Sequence, residues 1–401
     1  MKRLTAIDFL RGLALLGMLV SNIPWLVGDS MSRVHDPDVT SVAAWLLQYL
    51  VFDQRFLPTF CMLFGASLYL QWPGERPSPA FRKYHLRRMA ALLLLGIAHA
   101  YLLWPGDILI TYAVCGPLLL LVFRRRPSEL IAIGISLKVI GLAIGEWPQI
   151  YFSTLDKLLV SWWLDVGPAP STIVEAYAGS YLGLFEYNVW RNQFLQWAAL
   201  PYFRIWDALG FMMIGMGLYQ LGVLQGMRSR EFYRRLLRST LLLGMPLVVY
   251  GILARIGANE TVGPYLGFTT ELPLRNITFR TGCAVVSLSI IAMVHLGYGH
   301  LSQRVKRLVE ALGRMPLTTY LFHSVFFFVV FHTFKLLAFD ALDHDSMLLL
   351  VVLVSAIQLI LCPWWLRRFG GGPIEAIWHG MSGPRPRPAR ARDRSETTGQ
   401  H

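Results

Sequence analysis

The chain has 401 residues, of which 55% are hydrophobic and 15% are charged, and its formal net charge is +13. Soluble domains carry about 25% charged residues, so the composition excludes an ordinary soluble protein and indicates many membrane-embedded helices. The four cysteines form no CxxC pair, and the sequence shows no metal-ligand spacing, Gly-rich phosphate loop or nucleic-acid signature. We therefore predict an all-α, polytopic transmembrane helix bundle without a metal site.

The predicted elements, in chain order, are ten hydrophobic segments that approach the roughly 20 residues needed to span a membrane. They lie at 4–27, 49–71, 86–104, 107–123, 129–150, 203–222, 236–256, 277–298, 316–338 and 346–366. Residues 151–202 hold two aromatic-rich pieces, near 172–187 and 190–201, which we interpret as interfacial or re-entrant helices packed on the bundle. If one or both pieces cross the membrane instead, the number of spans rises to eleven or twelve. In each case we predict that residues 1–380 form a single bundle.

The distribution of basic residues predicts the orientation of the bundle. With the N-terminus inside, the inner segments contain most of the 37 Lys and Arg residues, whereas the outer loop 339–345 is acidic. This positive-inside pattern predicts that both termini are cytoplasmic, and it accounts for the positive charge without a nucleic-acid partner. Residues 381–401 are rich in Pro and Arg, and we predict a disordered, basic cytoplasmic tail that contacts membrane lipid.

Three polar residues interrupt the first span, namely Asp8, Arg11 and Asn22. At about 100° per residue, Arg11 and Asn22 share one helix face about 17 Å apart, and Asp8 lies within about 40° of it. Ionisable residues in membrane helices usually face the bundle interior or a wet cavity, so the stripe predicts a substrate-binding wall. The alternative is an Asp8–Arg11 ion pair that only braces neighbouring helices.

His99 near the end of the third span and Asp107 at the start of the fourth are the predicted catalytic residues. The turn Trp104-Pro105-Gly106 between them is short enough to bring the two side chains together. A carboxylate beside a histidine orients the ring and raises its basicity, which is typical of a general base. The alternative is that Asp107 only caps the following helix.

Two further residues are predicted to bind substrate. Arg55, at the outer start of the second span, is suited to an anionic group such as a carboxylate or phosphate. An interfacial pair between Asp53 and Arg55 is the alternative. His323 is the best further site residue among the remaining histidines of the spans, most of which we expect only to form hydrogen bonds within the bundle.

Several segments together resemble the YeiB-like bacterial membrane proteins, known as domain of unknown function 418. The resemblance covers nearly the whole chain up to about residue 380. The matching segments are Asp8 to Gly17 with Asn22, Phe64-Gly65, Gly96 to Gly116, Gly313 to Tyr320, Trp364 to Phe369 and Gly372 to Trp378. This resemblance implies a multi-pass protein of the bacterial cytoplasmic (inner) membrane.

That family is in turn distantly similar to the transmembrane acyltransferase group, which includes the acyltransferase-3 proteins and the heparan glucosaminide acetyltransferases. Those proteins move an acyl group from a cytoplasmic donor, typically an acyl-CoA, to an acceptor on the far side of the membrane. The first helix of acyltransferase-3 proteins has an arginine, ten residues and then a catalytic histidine, whereas here Arg11 is followed by ten residues and Asn22. Asparagine cannot act as a general base, so the resemblance leaves Asn22 only a hydrogen-bonding role.

Three functions are consistent with these residues. The first is an acyltransferase that uses acyl-CoA or acetyl-CoA, with His99 as base for a hydroxyl or amine acceptor. The second is a transporter or flippase of a lipid-linked or anionic small molecule, in which Asp8, Arg11 and Asp107 line the pathway. The third is a non-catalytic membrane partner. The sequence leaves the oligomeric state open, with a homodimer among the alternatives.

Overall fold

The computed structural model describes residues 5–27, 39–72, 77–151, 176, 179–257, 272–334 and 344–386. All regular elements in these ranges are helical, which confirms the predicted all-α class. The helices are α1 (Thr5–Val27), α2 (Val39–Leu47), α3 (Phe56–Gln71), α4 (Pro79–Leu102), α5 (Leu109–Val122), α6 (Pro127–Tyr151), α7 (Tyr181–Phe194), α8 (Ile205–Gln220), α9 (Arg230–Gly257), α10 (Leu272–Gly297), α11 (Gln303–Arg314), α12 (Pro316–Phe327), α13 (His344–Phe369) and α14 (Pro373–Ser382).

Within the described ranges, six stretches of helix are long and apolar enough to cross a membrane. They are Thr5–Pro24, Pro127–Gly145, Arg230–Ala254, Leu274–His300, Pro316–Thr333 and Asp345–Phe369. The four other predicted spans coincide with α3, α4, α5 and α8, which are helical but are shorter or, in α4, begin with several basic residues. The structure therefore supports a multi-pass membrane protein, and the total of ten spans stays a prediction.

Glycines set the closest helix contacts. A Cβ atom on Gly313 of α11 would lie 1.8 Å from the carbonyl oxygen of Asp8 in α1. A Cβ atom on Gly12 would lie 2.0 Å from the carbonyl oxygen of Val309. Because only hydrogen fits at these positions, the two backbones touch, as small residues allow in membrane bundles. Gly65 of α3 has the same role against α8, where its Cβ would lie 2.1 Å from the Met212 carbonyl oxygen.

The two ends of the bundle are named after the predicted orientation. The inner end contains the start of α1, the start of α12 and α14, because Gly313 contacts Asp8 and Glu375 bonds to Leu317. The opposite end is the outer end, where the hydroxyl of Ser21 in α1 donates to the carbonyl oxygen of Phe52 at 2.9 Å. His99, at the far end of α4, also lies there.

The predicted interfacial region is described only in part, because residues 152–175 and 177–178 lie outside the described ranges. In the described part, α7 continues through the π-helical segment Leu195–Arg204 into α8. Two more π-helical segments lie at the outer end, Gln48–Phe52 before α3 and Phe328–Thr333 after α12. The predicted tail is described only as far as residue 386.

Candidate functional site

A histidine of α4, an aspartate of the turn between α4 and α5 and a serine of α12 form a hydrogen-bonded chain near the outer end. His99 Nδ1 lies 2.6 Å from Asp107 Oδ2, and His99 Nε2 lies 2.8 Å from Ser324 Oγ. All three residues are buried, with at most 3% of each exposed. The neutral ring with its proton on Nδ1 satisfies both contacts, since it donates to the carboxylate and accepts from the hydroxyl.

The turn between α4 and α5 places the aspartate. The N–H groups of Leu103 and Trp104 both donate to the His99 carbonyl oxygen at 3.0 Å, which ends α4 tightly. Asp107 then follows within a few residues, and its Oδ1 accepts from the N–H of Ile110 at 2.8 Å. One carboxylate oxygen therefore closes the first turn of α5 while the other holds His99. The capping and the histidine-orienting interpretations both apply.

Two side chains, those of Tyr320 and Arg204, contact the triad (His99, Asp107 and Ser324) or the turn that carries Asp107. The hydroxyl oxygen of Tyr320 accepts from the N–H of Ile108 at 3.3 Å, and its ring meets the His99 ring edge-on with centroids 5.3 Å apart. Arg204 Nη1 donates to the Asp107 carbonyl oxygen at 3.2 Å. Tyr320 thus contacts the histidine, while Arg204 holds the turn that presents the carboxylate.

Helix α7 covers the outer side of this site. Asn192 Nδ2 donates to the Ala100 carbonyl oxygen at 2.8 Å, and Asn188 Nδ2 donates to the Tyr101 carbonyl oxygen at 3.2 Å. These carbonyl groups belong to the last turn of α4, where helix carbonyls have no partner within the helix. Both asparagines are fully buried. The cover is thus fastened directly to the helix that carries His99.

The other predicted residues do not join the triad. Asp8 Oδ1 accepts from Arg11 Nη1 at 3.0 Å at the inner end, as in the ion-pair alternative. Asn22 is half-buried, and among the described residues no hydrogen bond links its side chain to the triad. His323 Nε2 pairs with Gln358 Oε1 of α13 at 3.1 Å. The structure therefore places Asp8 with Arg11 and His323 with Gln358, apart from the hydrogen-bonded chain of the triad.

Arg55 is almost completely buried, with 1% exposed. Its Nη1 donates to the carbonyl oxygens of Tyr49 and Asp53 at 2.8 and 2.6 Å. The contact with Asp53 is therefore made to its main chain. The substrate-binding roles of Arg55, Asp8, Arg11, Asn22 and His323 stay predictions.

The sequence reasoning missed Ser324, Tyr320 and an ion cluster between α6, α8 and α10. In this cluster Asp207 accepts from Lys138 Nζ and, at 2.8 Å, from Arg280 Nη2. Each of these three charged residues lies inside a predicted span, and that signal alone marks them as candidates. Ser324 carries no such signal, because a lone serine in a helix usually bonds to its own backbone. The described residues contain no cluster of His, Cys, Asp or Glu suited to a metal ion.

Comparisons with known proteins agree with the resemblance found in the sequence. Residues 218–383 match a family described as a protein of unknown function, DUF418. The chain is 26% identical to the uncharacterized protein YeiB of Escherichia coli K12, and the alignment covers 95% of this chain and 97% of YeiB. It is also 24% identical to the uncharacterized protein YxaH of Bacillus subtilis 168, with 95% of this chain and 94% of YxaH aligned. The family match includes Ser324, whereas His99 and Asp107 lie within the full-length similarities only.

Proposed function

Because the chain is similar to YeiB-like bacterial membrane proteins of unknown function, we infer its role from its site and propose an integral-membrane acyltransferase. The observation that supports this proposal is the buried chain Ser324–His99–Asp107. A hydroxyl beside a base that a third group orients is the arrangement of an activated nucleophile. The protein transfers an acyl group from a cytoplasmic acyl-CoA to an extracytoplasmic hydroxyl or amine.

In the first step Ser324 is the nucleophile. His99 Nε2, 2.8 Å from Ser324 Oγ, takes the hydroxyl proton as Oγ attacks the thioester carbonyl carbon. The carbon–sulfur bond breaks, the acyl group stays on Ser324 as an ester, and His99 returns the proton to the departing thiolate. Asp107 stabilises the imidazolium that forms between these events.

Tyr320 is the candidate donor to the negative oxygen that develops on the acyl carbonyl. It lies one helical turn before Ser324 and therefore on the same face of α12. Its oxygen accepts from the Ile108 N–H, which leaves its own O–H to donate. A donor fixed in this way needs no rearrangement when charge develops, which is the main source of electrostatic catalysis.

In the second step the acceptor takes the acyl group. His99 removes a proton from the acceptor hydroxyl or amine, which attacks the ester carbonyl carbon. The bond to Ser324 Oγ breaks, and the serine oxygen regains the proton from His99. Since the triad is buried, α7 has to move away from the end of α4 to admit the acceptor.

Helix α4 offers a binding place for the donor at its other end. Arg82, Lys83 and Arg87 lie beside Leu86 on one exposed face of α4, at the predicted cytoplasmic side. Such a basic face suits the phosphates of a CoA thioester. From Arg87 to His99 the helix rises about 18 Å, which is the distance that the pantetheine arm has to bridge.

The test is to trap the acyl group on Ser324. The purified, full-length protein is reconstituted in liposomes, incubated with radiolabelled acetyl-CoA and quenched in acid, and the labelled peptide is identified by mass spectrometry. We expect acetyl-Ser324, lost in Ser324→Ala and strongly reduced in His99→Gln. Ser289→Ala is the matched control, because Ser289 is equally buried but its hydroxyl donates only to the Val286 carbonyl oxygen of its own helix. An unlabelled Ser324, with equal turnover in Ser324→Ala, would refute the covalent step.

A transporter of anionic small molecules is the second candidate, and the Lys138–Asp207–Arg280 cluster favours it. One carboxylate faces two cations there, and charges inside a membrane bundle often mark a transport pathway. Uptake into liposomes without any acyl donor supports transport if Asp207→Asn abolishes it and Ser324→Ala does not.

A further inference from the structure

Arg55 has two nitrogens without partners deep in the protein. Its Nη1 is satisfied by the carbonyl oxygens of Tyr49 and Asp53, whereas Nε and Nη2 are buried and make no hydrogen bond. No carboxylate of the described residues forms an ion pair with this guanidinium. A buried guanidinium that makes no ion pair and has two nitrogens without acceptors is disfavoured, so an anion from outside the chain is a natural partner for Nε and Nη2.

A second unsatisfied donor lies in the same region. Trp45 Nε1 is buried without an acceptor, and the Trp45 ring packs on the Tyr49 ring with centroids 4.6 Å apart. Tyr49 in turn contacts Phe279 of α10, over whose ring the Arg55 guanidinium lies at 6.0 Å. The region therefore combines unpaired donors with aromatic walls, which suits a molecule that has an anionic group and an apolar part.

The backbone before α3 is strained in order to place Arg55. Gln54 has a φ of 54°, the left-handed conformation that non-glycine residues rarely adopt. The π-helical segment Gln48–Phe52 comes just before it. Strained residues are kept only where the surrounding structure holds them, and they and π-helical turns are frequent at functional sites. Arg55 also directly precedes α3, and the positive end of a helix dipole favours an anion at such a position.

We propose that Arg55 and Trp45 form a binding site for a phosphate or carboxylate group at the outer end, next to the lipid. The neighbouring side chains of Leu47 and Val51 are 49% and 43% exposed, which gives the apolar part of an amphiphile a surface to cover. The helices that build this site are α2, α3 and α10, and they contribute none of the three triad residues. The site goes beyond acyl transfer, because an anionic lipid headgroup or a free phosphate binds there whatever the triad does.

The experiment measures thermal unfolding of the purified full-length protein in a neutral detergent. Phosphatidylglycerol, phosphatidylcholine and inorganic phosphate are added in separate arms, since a ligand of the folded state raises the unfolding midpoint. We expect phosphatidylglycerol or phosphate to raise the midpoint and phosphatidylcholine to have no effect. A response to phosphatidylglycerol alone identifies a lipid headgroup, and a response to phosphate alone identifies a soluble anion. No response to either anion overturns the proposal.

The variants separate binding from folding. Arg55→Gln should weaken the binding of the responding anion by about 10–100-fold, the factor for losing charge-assisted hydrogen bonds. Trp45→Phe keeps the ring and should weaken binding less, and it provides the test if Arg55→Gln does not fold. The control is Arg88→Gln, because Arg88 is also buried but stacks on Trp378 at 3.6 Å at the inner end, so the anion response should persist. Unchanged anion binding in both site variants overturns the proposal.

Discussion

Asp107 makes two hydrogen bonds that a pair of substitutions can separate. Its Oδ1 accepts from the Ile110 N–H at 2.8 Å and its Oδ2 pairs with His99 Nδ1 at 2.6 Å. Asparagine is as good a capping residue as aspartate, so Asp107→Asn keeps the first contact. It loses the charge that orients the ring and stabilises the imidazolium. Alanine loses both contacts.

The expected magnitudes differ between the two variants. Asp107→Ala should destabilise the protein by about 2–5 kcal/mol, because a capping bond contributes about 0.5–2 and a hydrogen bond to a charged group about 1.5–3 kcal/mol. Asp107→Asn should cost less than about 1.5 kcal/mol, the value of one ordinary hydrogen bond, while acyl transfer falls by about 10²–10⁴-fold.

Two measurements check this reasoning on the same detergent-purified samples. Thermal unfolding reports the stability of each variant, and transfer of radiolabelled acetyl groups reports activity. His85→Gln is the control, since His85 is another buried histidine of α4 but its Nε2 contacts only the Gly116 carbonyl oxygen. We assign helix capping to Oδ1 and orientation of His99 to Oδ2. Full activity of Asp107→Asn, or equal destabilisation by Asp107→Asn and Asp107→Ala, would refute this assignment.

Three further predictions concern the frame around the site. Gly313→Ala should prevent folding, because its Cβ would lie 1.8 Å from the Asp8 carbonyl oxygen, whereas Gly297→Ala, with no atom within 4 Å, should be tolerated; equal yields of folded protein would contradict this. Burial raises the pKa of the Glu375 carboxyl above its ordinary 4.5, so the stability that protonated Glu375 contributes is lost as the pH rises through the folded-state pKa. Glu375→Gln should therefore flatten this part of the pH dependence of the unfolding midpoint. An unchanged profile would contradict this assignment. Asn192→Ala should loosen the cover and speed hydrogen exchange in the last turn of α4, and unaltered protection would show that α7 is held otherwise.

The helices were predictable because long apolar runs separated by polar turns are typical of membrane-spanning helices, and the shorter runs of α3, α5 and α8 are helical as well. The turn Trp104-Pro105-Gly106 was equally informative, since so short a connection forces His99 and Asp107 together. Ser324 was not predictable, because 225 residues separate it from His99 and only helix packing brings the two together. For Asp8 and Arg11 the helical periodicity allowed two interpretations, a substrate-binding wall or an ion pair within α1, and only the structure shows that the ion pair forms.

The C-terminal Gly-Pro-x-Glu segment shows why a motif needs the structure for its meaning. Glu375 Oε1 accepts from the Leu317 N–H at 2.6 Å and from the Thr318 N–H at 3.2 Å, so it caps the first turn of α12. A Cβ on Gly372 would lie 2.0 Å from Glu375 Oε2, so the glycine makes room for the carboxylate. The motif therefore sets the position of the helix that carries Ser324.

The glycine contact between α1 and α11 has a consequence for biosynthesis. Gly12 and Gly313 belong to backbones that touch, yet roughly 300 residues separate them, and a ribosome adding about 5–20 residues per second needs roughly 15–60 s to make that length. During this interval the first helix waits in the lipid without its partner. The Asp8–Arg11 ion pair lies within one turn of α1. Each of these two charges is therefore paired within the nascent helix itself, before the rest of the bundle has been synthesised.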